Sequence, residues 1–139
     1  MRRIYSLLAA VIMLIMLSSC GAETTAPHTI RIGVALYQQE DTFISTVAKE
    51  LQRAAQEAEQ DGDVKINLYF ADGKGSQTVQ NEQIDRFLDR EYDVICINIV
   101  DRTAAAVIID KAQAADIPVI FLNRQPVEED LRRWEHAYY

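Results

Sequence analysis

From Ile30 to the last residue, short runs of β-branched and other apolar residues alternate with longer segments whose apolar residues recur every three or four positions. A short, continuously apolar run suits a strand buried on both faces, and a parallel sheet sandwiched between helices buries its strands in that way. Four runs fit: Ile30 to Tyr37, Val64 to Ala71, Val94 to Ile99 and Pro118 to Leu122. In the first intervening segment Ile44, Val47, Ala48, Leu51, Ala54, Ala55 and Ala58 form one helical stripe, which Asp61-Gly62-Asp63 ends. Ser76 to Arg90 reads as a second helix with Val79, Ile84, Phe87 and Leu88 inward. Thr103 to Ala115 reads as a third with Ala104, Val107, Ile108 and Ala112 inward, and the remaining faces of both are charged or amide-rich. Right-handed crossovers then put helices on both faces, so the expected fold class is α/β, a doubly wound parallel sheet. After Pro126 a short helical stretch runs through Leu131 and Trp134. Ala137-Tyr138-Tyr139 then reads either as the opening of a further strand in a longer protein or as the close of a minimal four-stranded sheet.

The N-terminus speaks to the compartment. Arg2 and Arg3 precede an uncharged apolar run from Leu7 to Leu17, the layout of an export signal. The run stops well short of the roughly 20 apolar residues of a membrane span. Leu17-Ser18-Ser19-Cys20 resembles the lipobox of bacterial lipoproteins, in which the cysteine becomes the lipidated first residue. Residues 1–19 are thus expected to be a lipoprotein signal peptide, with lipidation at Cys20. Residues 20–29, small and polar, are the expected tether, and residues 30–139 the folded lobe. An ordinary secretory signal with a chance cysteine would give the same compartment.

The chain carries 14 basic and 21 acidic residues, a net −7, and loss of Arg2 and Arg3 with the leader takes this to −9. Such a chain has no electrostatic footprint for nucleic acid. With Cys20 assigned to the anchor, Cys96 has no partner for a disulfide, and its apolar surroundings in Val94 to Val100 make it a small buried hydrophobe.

Ligands of an open parallel sheet bind beyond the carboxyl ends of its strands, where the crossover direction reverses. The residues there are Glu40, Asp41, Thr42 and Phe43 after the first strand, Asn98, Asp101 and Arg102 after the third, and Asn123 and Arg124 after the fourth. Asp41 and Phe43 suit a sugar: a carboxylate accepts from hydroxyls while an aromatic ring covers an apolar C–H face. Asn98 adds an amide that both donates and accepts. Equally, Asp41 or Thr42 can be a helix N-cap, Phe43 the first core residue of that helix, and Asn98 an amide that caps the third helix or bonds a loop. Asp101 reads as a turn residue near Thr103, and Arg124 can pair with Glu128 or Glu129. Trp134 and the final tyrosines read as packing residues.

Catalysis finds no assembly. No glycine-rich phosphate loop follows the first strand, and Gly73-Lys74-Gly75-Ser76 reads as a turn with a serine cap. His28 and His136 lie away from the candidate residues, so neither a metal set nor a Ser/His/Asp triad can be built. The chain is expected not to be an enzyme.

Several blocks carry a family resemblance. Arg31-Ile32-Gly33-Val34-Ala35-Leu36-Tyr37 followed by Glu40-Asp41-Thr42-Phe43-Ile44-Ser45 closely resembles the opening of the bacterial galactose/glucose-binding proteins. So do Asn81-Glu82-Gln83-Ile84-Asp85, Ile97-Asn98-Ile99-Val100-Asp101, Ile117-Pro118-Val119-Ile120-Phe121-Leu122-Asn123 and Ala137-Tyr138-Tyr139, in order along the chain. The resemblance implies the N-terminal lobe of a type I periplasmic binding protein, with the second lobe absent. It implies a monosaccharide ligand, a hexose such as galactose or glucose, delivered to an ABC permease or a chemoreceptor. It also implies that Asp41 and Asn98 hydrogen-bond the pyranose while Phe43 stacks on it. Asn123 and Arg124 match a position that related pentose binders use as an acid and arginine pair, with an amide here in place of the acid. Thr103 stands where the family commonly has proline and can cap the third helix instead. The family's second lobe, its other sugar ligands and its calcium loop lie beyond Tyr139, so no cofactor is expected in this chain. Rival readings are an extracytoplasmic sugar sensor of a signalling system, the effector lobe of a sugar-responsive repressor and a flavodoxin-type domain. The leader opposes the last two, since a repressor needs a helix-turn-helix before residue 30.

Overall fold

The computed structural model describes residues 28–62 and 64–139. Strand β1 (His28–Leu36) leads to helix α1 (Thr42–Asp61), β2 (Val64–Asp72), α2 (Gln77–Asp89) and β3 (Val94–Ile97). A 3-10 turn (Arg102–Ala104), α3 (Ala105–Ala115), β4 (Val119–Phe121), a short α4 (Glu128–Leu131) and β5 (Ala137–Tyr138) follow. The strands form one parallel sheet in the order β2-β1-β3-β4-β5. The chain steps from β1 outward to β2, then crosses back to β3 on the other side. The switch in direction therefore falls between β1 and β3.

Side chains alternate across the strands and divide the core in two. Val34, Leu36 and Cys96 point to the α1 face, where Ile44 meets them with Ala48, Leu51, Leu68 and Phe70 around the edge. Ala35, Ile95, Ile97, Val119 and Phe121 point to the other face, packed by Ile84 and Phe87 of α2 and by Ala105, Ile108, Ile109 and Ala112 of α3. Burial pushes the Cys96 thiol up to about 11, which keeps it protonated and inert, as its apolar surroundings suggested. Gly33 is required where it stands, because a Cβ there would lie 2.6 Å from the Phe87 ring.

The doubly wound sheet is as expected, and so are the helices, within a residue or two at their ends. Asp61 closes α1 with Gly62 as its C-cap, and Ser76 caps α2 by accepting from the Val79 N–H. Three local expectations are corrected and one open alternative is decided. His28 and Thr29 belong to β1, paired with Val64 and Lys65, and not to a tether. Of the two readings of the C-terminus, the structure bears out the further strand, since Ala137 and Tyr138 pair with β4. In α3, Val107 is exposed and Ile109 takes the core position. Six consecutive apolar residues from Ala104 to Ile109 left the phase of that helix undetermined, and the 3-10 turn before it sets the phase one residue on. In α1, Ala54 and Ala58 are exposed and not part of the buried stripe. No described helix is long and apolar enough to cross a membrane. The expected leader, residues 1–19, and the lipidation site Cys20 lie outside the described residues.

Candidate functional site

The carboxyl ends of β1, β3 and β4 are level. Ala35 lies opposite Ile97 and Ile97 opposite Phe121, and the Asn98 N–H donates to the Ala35 carbonyl at 2.9 Å. The residues that leave these strands therefore meet at one mouth, which is where Asp41, Phe43, Asn98 and Arg124 come together.

Asp41 is the N-cap of α1. Its backbone is extended, with φ −61° and ψ 128°, and its Oδ1 accepts from the Ile44 N–H at 3.0 Å. Its Oδ2 accepts from the Tyr37 hydroxyl at 2.6 Å. That hydroxyl first, and the Ile44 N–H second, hold the Asp41 carboxyl below its ordinary value, while donation to Asp41 pushes the Tyr37 phenol above its own. A carboxylate offers about four lone-pair sites, so capping the helix leaves Asp41 further acceptor capacity. Phe43 is not the first core residue of α1. Ile44 is buried there, whereas Phe43 is 59% exposed on the first turn beside Asp41.

Asn98 is 1% exposed and ties three strand ends together. Its Nδ2 donates to the Leu122 carbonyl at 3.1 Å, its Oδ1 lies 3.5 Å from the Tyr37 backbone N, and its own carbonyl accepts from Gln80. The amide thus bonds neighbouring loops rather than capping the third helix, and one Nδ2 hydrogen stays uncommitted. Asp101 caps the 3-10 turn, accepting from the Thr103 N–H at 2.9 Å and the Thr103 hydroxyl at 2.7 Å. Thr103 therefore donates and does not cap the third helix, whose N-cap, Ala104, makes no side-chain bond. Arg124 pairs with neither Glu128 nor Glu129. Its guanidinium lies 4.0 Å over the Tyr37 ring and donates from Nη1 to the Val100 and Ile99 carbonyls at 3.0 and 3.3 Å. Glu128 takes Arg132 instead. Asn123 is exposed, with a left-handed φ of 61°.

Two parts of this mouth escaped sequence reasoning. One is Tyr37, read only as the last residue of a strand. The other is a line of amides on α2, which the sequence placed on the exposed face. Gln80 is fully buried, donating to the Ala35 and Asn98 carbonyls and accepting from the Val100 N–H. Gln77 accepts from the Asp101 N–H at 2.7 Å, and Gln83 donates to the Asp72 carbonyl at 2.7 Å. The signal was present, since Gln80, Gln83, Ile84 and Phe87 have the spacing of one buried stripe. Gly73 completes the floor, its N–H donating to the Leu36 carbonyl at 2.8 Å. Among the described residues no three His, Cys, Asp or Glu side chains are placed to hold a metal ion. What the mouth offers is a fixed carboxylate, an exposed ring beside it and a guanidinium held over a tyrosine ring.

Known proteins point the same way. The periplasmic binding protein domain matches residues 32–137. The D-galactose/methyl-galactoside binding periplasmic protein MglB of Haemophilus influenzae is 37% identical over 134 residues, covering 96% of this chain and 38% of that protein. A Mycobacterium smegmatis structure in complex with β-D-fucofuranose superposes with a TM-score of 0.62 at 29% identity, over 72% of this chain and 31% of the other. An ABC transporter solute binding protein from the same organism, with bound glycerol, gives 0.59 at 28% identity, over 79% and 34%. The chain thus spans about a third of the length of the proteins it matches, of which the Haemophilus protein is named as a binding protein and the glycerol complex as an ABC transporter solute binding protein. The family resemblance carried by the strand-end motifs is borne out: this chain belongs to the periplasmic binding protein family.

Proposed function

We propose that this chain is the N-terminal, sugar-binding jaw of an extracytoplasmic protein that takes up a hexose such as galactose or glucose for an ABC permease or a chemoreceptor, held to the membrane through Cys20. The observation that carries the reading is the fixed carboxylate of Asp41 beside the exposed Phe43 ring, at the point where the strand order reverses. A pyranose has hydroxyls on its rim and apolar C–H faces, so Asp41 accepts from hydroxyls while Phe43 covers a face. Asn98 contributes the remaining hydrogen of its amide from the floor of the mouth. The similarity to a galactose-binding protein supports the hexose, and the leader of residues 1–19 supports export.

A single jaw leaves the far hydroxyls in water and half of the stacking unmade, so the affinity of this chain alone is expected to be on the order of millimolar. Isothermal titration with galactose and glucose reads this directly, and micromolar or tighter binding would contradict the one-jaw reading. In a full-length relative, substitution of the aspartate matching Asp41 by alanine should abolish binding. Retained binding would remove Asp41 from the site.

A further inference from the structure

We infer that Tyr37 and Arg124 are positioning residues for Asp41, a relay that fixes the direction in which the carboxylate meets its ligand. The inference rests on the sugar-site reading above and extends it to two residues to which that reading assigned no contact with the sugar. A carboxylate on a free side chain rotates and presents its lone pairs in many directions. At Asp41 one oxygen is tied to the Ile44 N–H and the other to the Tyr37 hydroxyl at 2.6 Å, so the plane of the group is set and its free lone pairs face one way. Pre-organisation of this kind raises affinity because less freedom is lost when the ligand arrives.

The Tyr37 ring needs support if its hydroxyl is to hold that position, and Arg124 supplies it. The guanidinium lies 4.0 Å over the ring and is itself anchored on the Ile99 and Val100 carbonyls. A planar, delocalised cation can lie on a ring by its face while its edge N–H groups donate, a fixed geometry that the point charge of an ammonium does not have. The relay runs from the end of β3, through the loop after β4, to the loop after β1. It joins the three segments that form the mouth, and the placement of the binding carboxylate depends on a residue 83 positions further along the chain.

The test separates orientation from folding and from ligand binding. The Asp41 carboxyl carbon is titrated by NMR in the ¹³C-labelled chain, in Tyr37→Phe and in Arg124→Gln, with thermal melts to check the fold. Tyr37→Phe keeps the ring under Arg124 and removes only the hydroxyl, so the Asp41 midpoint should rise toward that of an ordinary aspartate. Arg124→Gln should move it the same way by less. Equilibrium dialysis against labelled galactose and glucose at millimolar concentration should then show binding weakened about tenfold in Tyr37→Phe and several-fold in Arg124→Gln. An Asp41 midpoint in Tyr37→Phe equal to that of the parent chain overturns the relay, as does unchanged sugar affinity in Tyr37→Phe. If the parent chain binds neither sugar, the hexose reading fails, and the titration alone still decides for or against the relay.

Discussion

An arginine lies against a tyrosine ring at each end of the sheet, and the two pairs do different work. At the amino end Arg31 sits 5.4 Å over Tyr92, its backbone N–H donates to Asp93 at 2.6 Å and its guanidinium donates to the Arg90 and Glu91 carbonyls. Tyr92 is buried, tilted against Phe87 at 4.8 Å and edge-on to Tyr69 at 5.2 Å. At the carboxyl end Tyr37 is half-buried, and its hydroxyl turns to a carboxylate with unused lone pairs. The amino end is therefore a plug of packed rings, whereas the carboxyl end holds its polar groups in place and leaves them available. That contrast supports the proposal that the site lies at the carboxyl end of the sheet.

The comparison is tested most severely at the plug. Tyr92→Ala removes a buried ring with two aromatic neighbours and should lower stability by about 3 kcal/mol. Urea unfolding measures the loss, and sugar affinity of the protein that remains folded should not change. A fall in affinity at constant fold would mean that the two ends are coupled through β1 and β3, which the contrast denies.

A smaller effect compares how each end ties its loops. Gln80 and Arg31 both gather backbone carbonyls, but Gln80 is sealed in the core whereas the Arg31 side chain is 41% exposed. Gln80→Ala leaves the Asn98 carbonyl and the Val100 N–H without their partner, while the Ala35 carbonyl keeps the Asn98 N–H, at a cost of about 2 kcal/mol. Water replaces Arg31 readily, so Arg31→Ala should cost under about 1 kcal/mol by the same unfolding measurement. Equal costs would show that exposure does not separate the ends.

The two ends were not equally legible. Strand positions and order of elements follow from apolar runs such as Val94 to Ile99, because burial on both faces leaves no polar alternation to confuse the reading. Asp41, Phe43 and Asn98 could be named as strand-end residues, but spacing alone could not separate a cap from a ligand. The structure shows why: Asp41 is a cap that retains acceptor capacity, and Asn98 bonds loops with one hydrogen to spare. The partners of Tyr37 and of Gln80 were invisible for a different reason. A tyrosine that ends an apolar run and a glutamine on an amide-rich helix carry no local signal of what they touch. Their partners Asp41, Ala35 and Asn98 are fixed only once the crossovers bring the strand ends together.

The smallest effect is a pH dependence peculiar to the carboxyl end. Asp41 is held below its ordinary value of 3.8 by the Tyr37 hydroxyl and the Ile44 N–H, so the folded state favours its ionised form. Stability from that preference is fully present above the ordinary value and is lost as the pH falls through the lower, folded one. Asp41→Asn keeps a side chain that caps a helix and accepts from Tyr37, but it removes the titration. The variant should melt slightly below the parent at neutral pH, and the gap should close as both are taken to about pH 2. Thermal melts across that range supply the measurement. A gap that stays constant into acid would mean that the Asp41 carboxylate is held no more firmly than a free surface group. The carboxyl end would then lose the fixed acceptor that sets it apart from the plug at the other end of the strands.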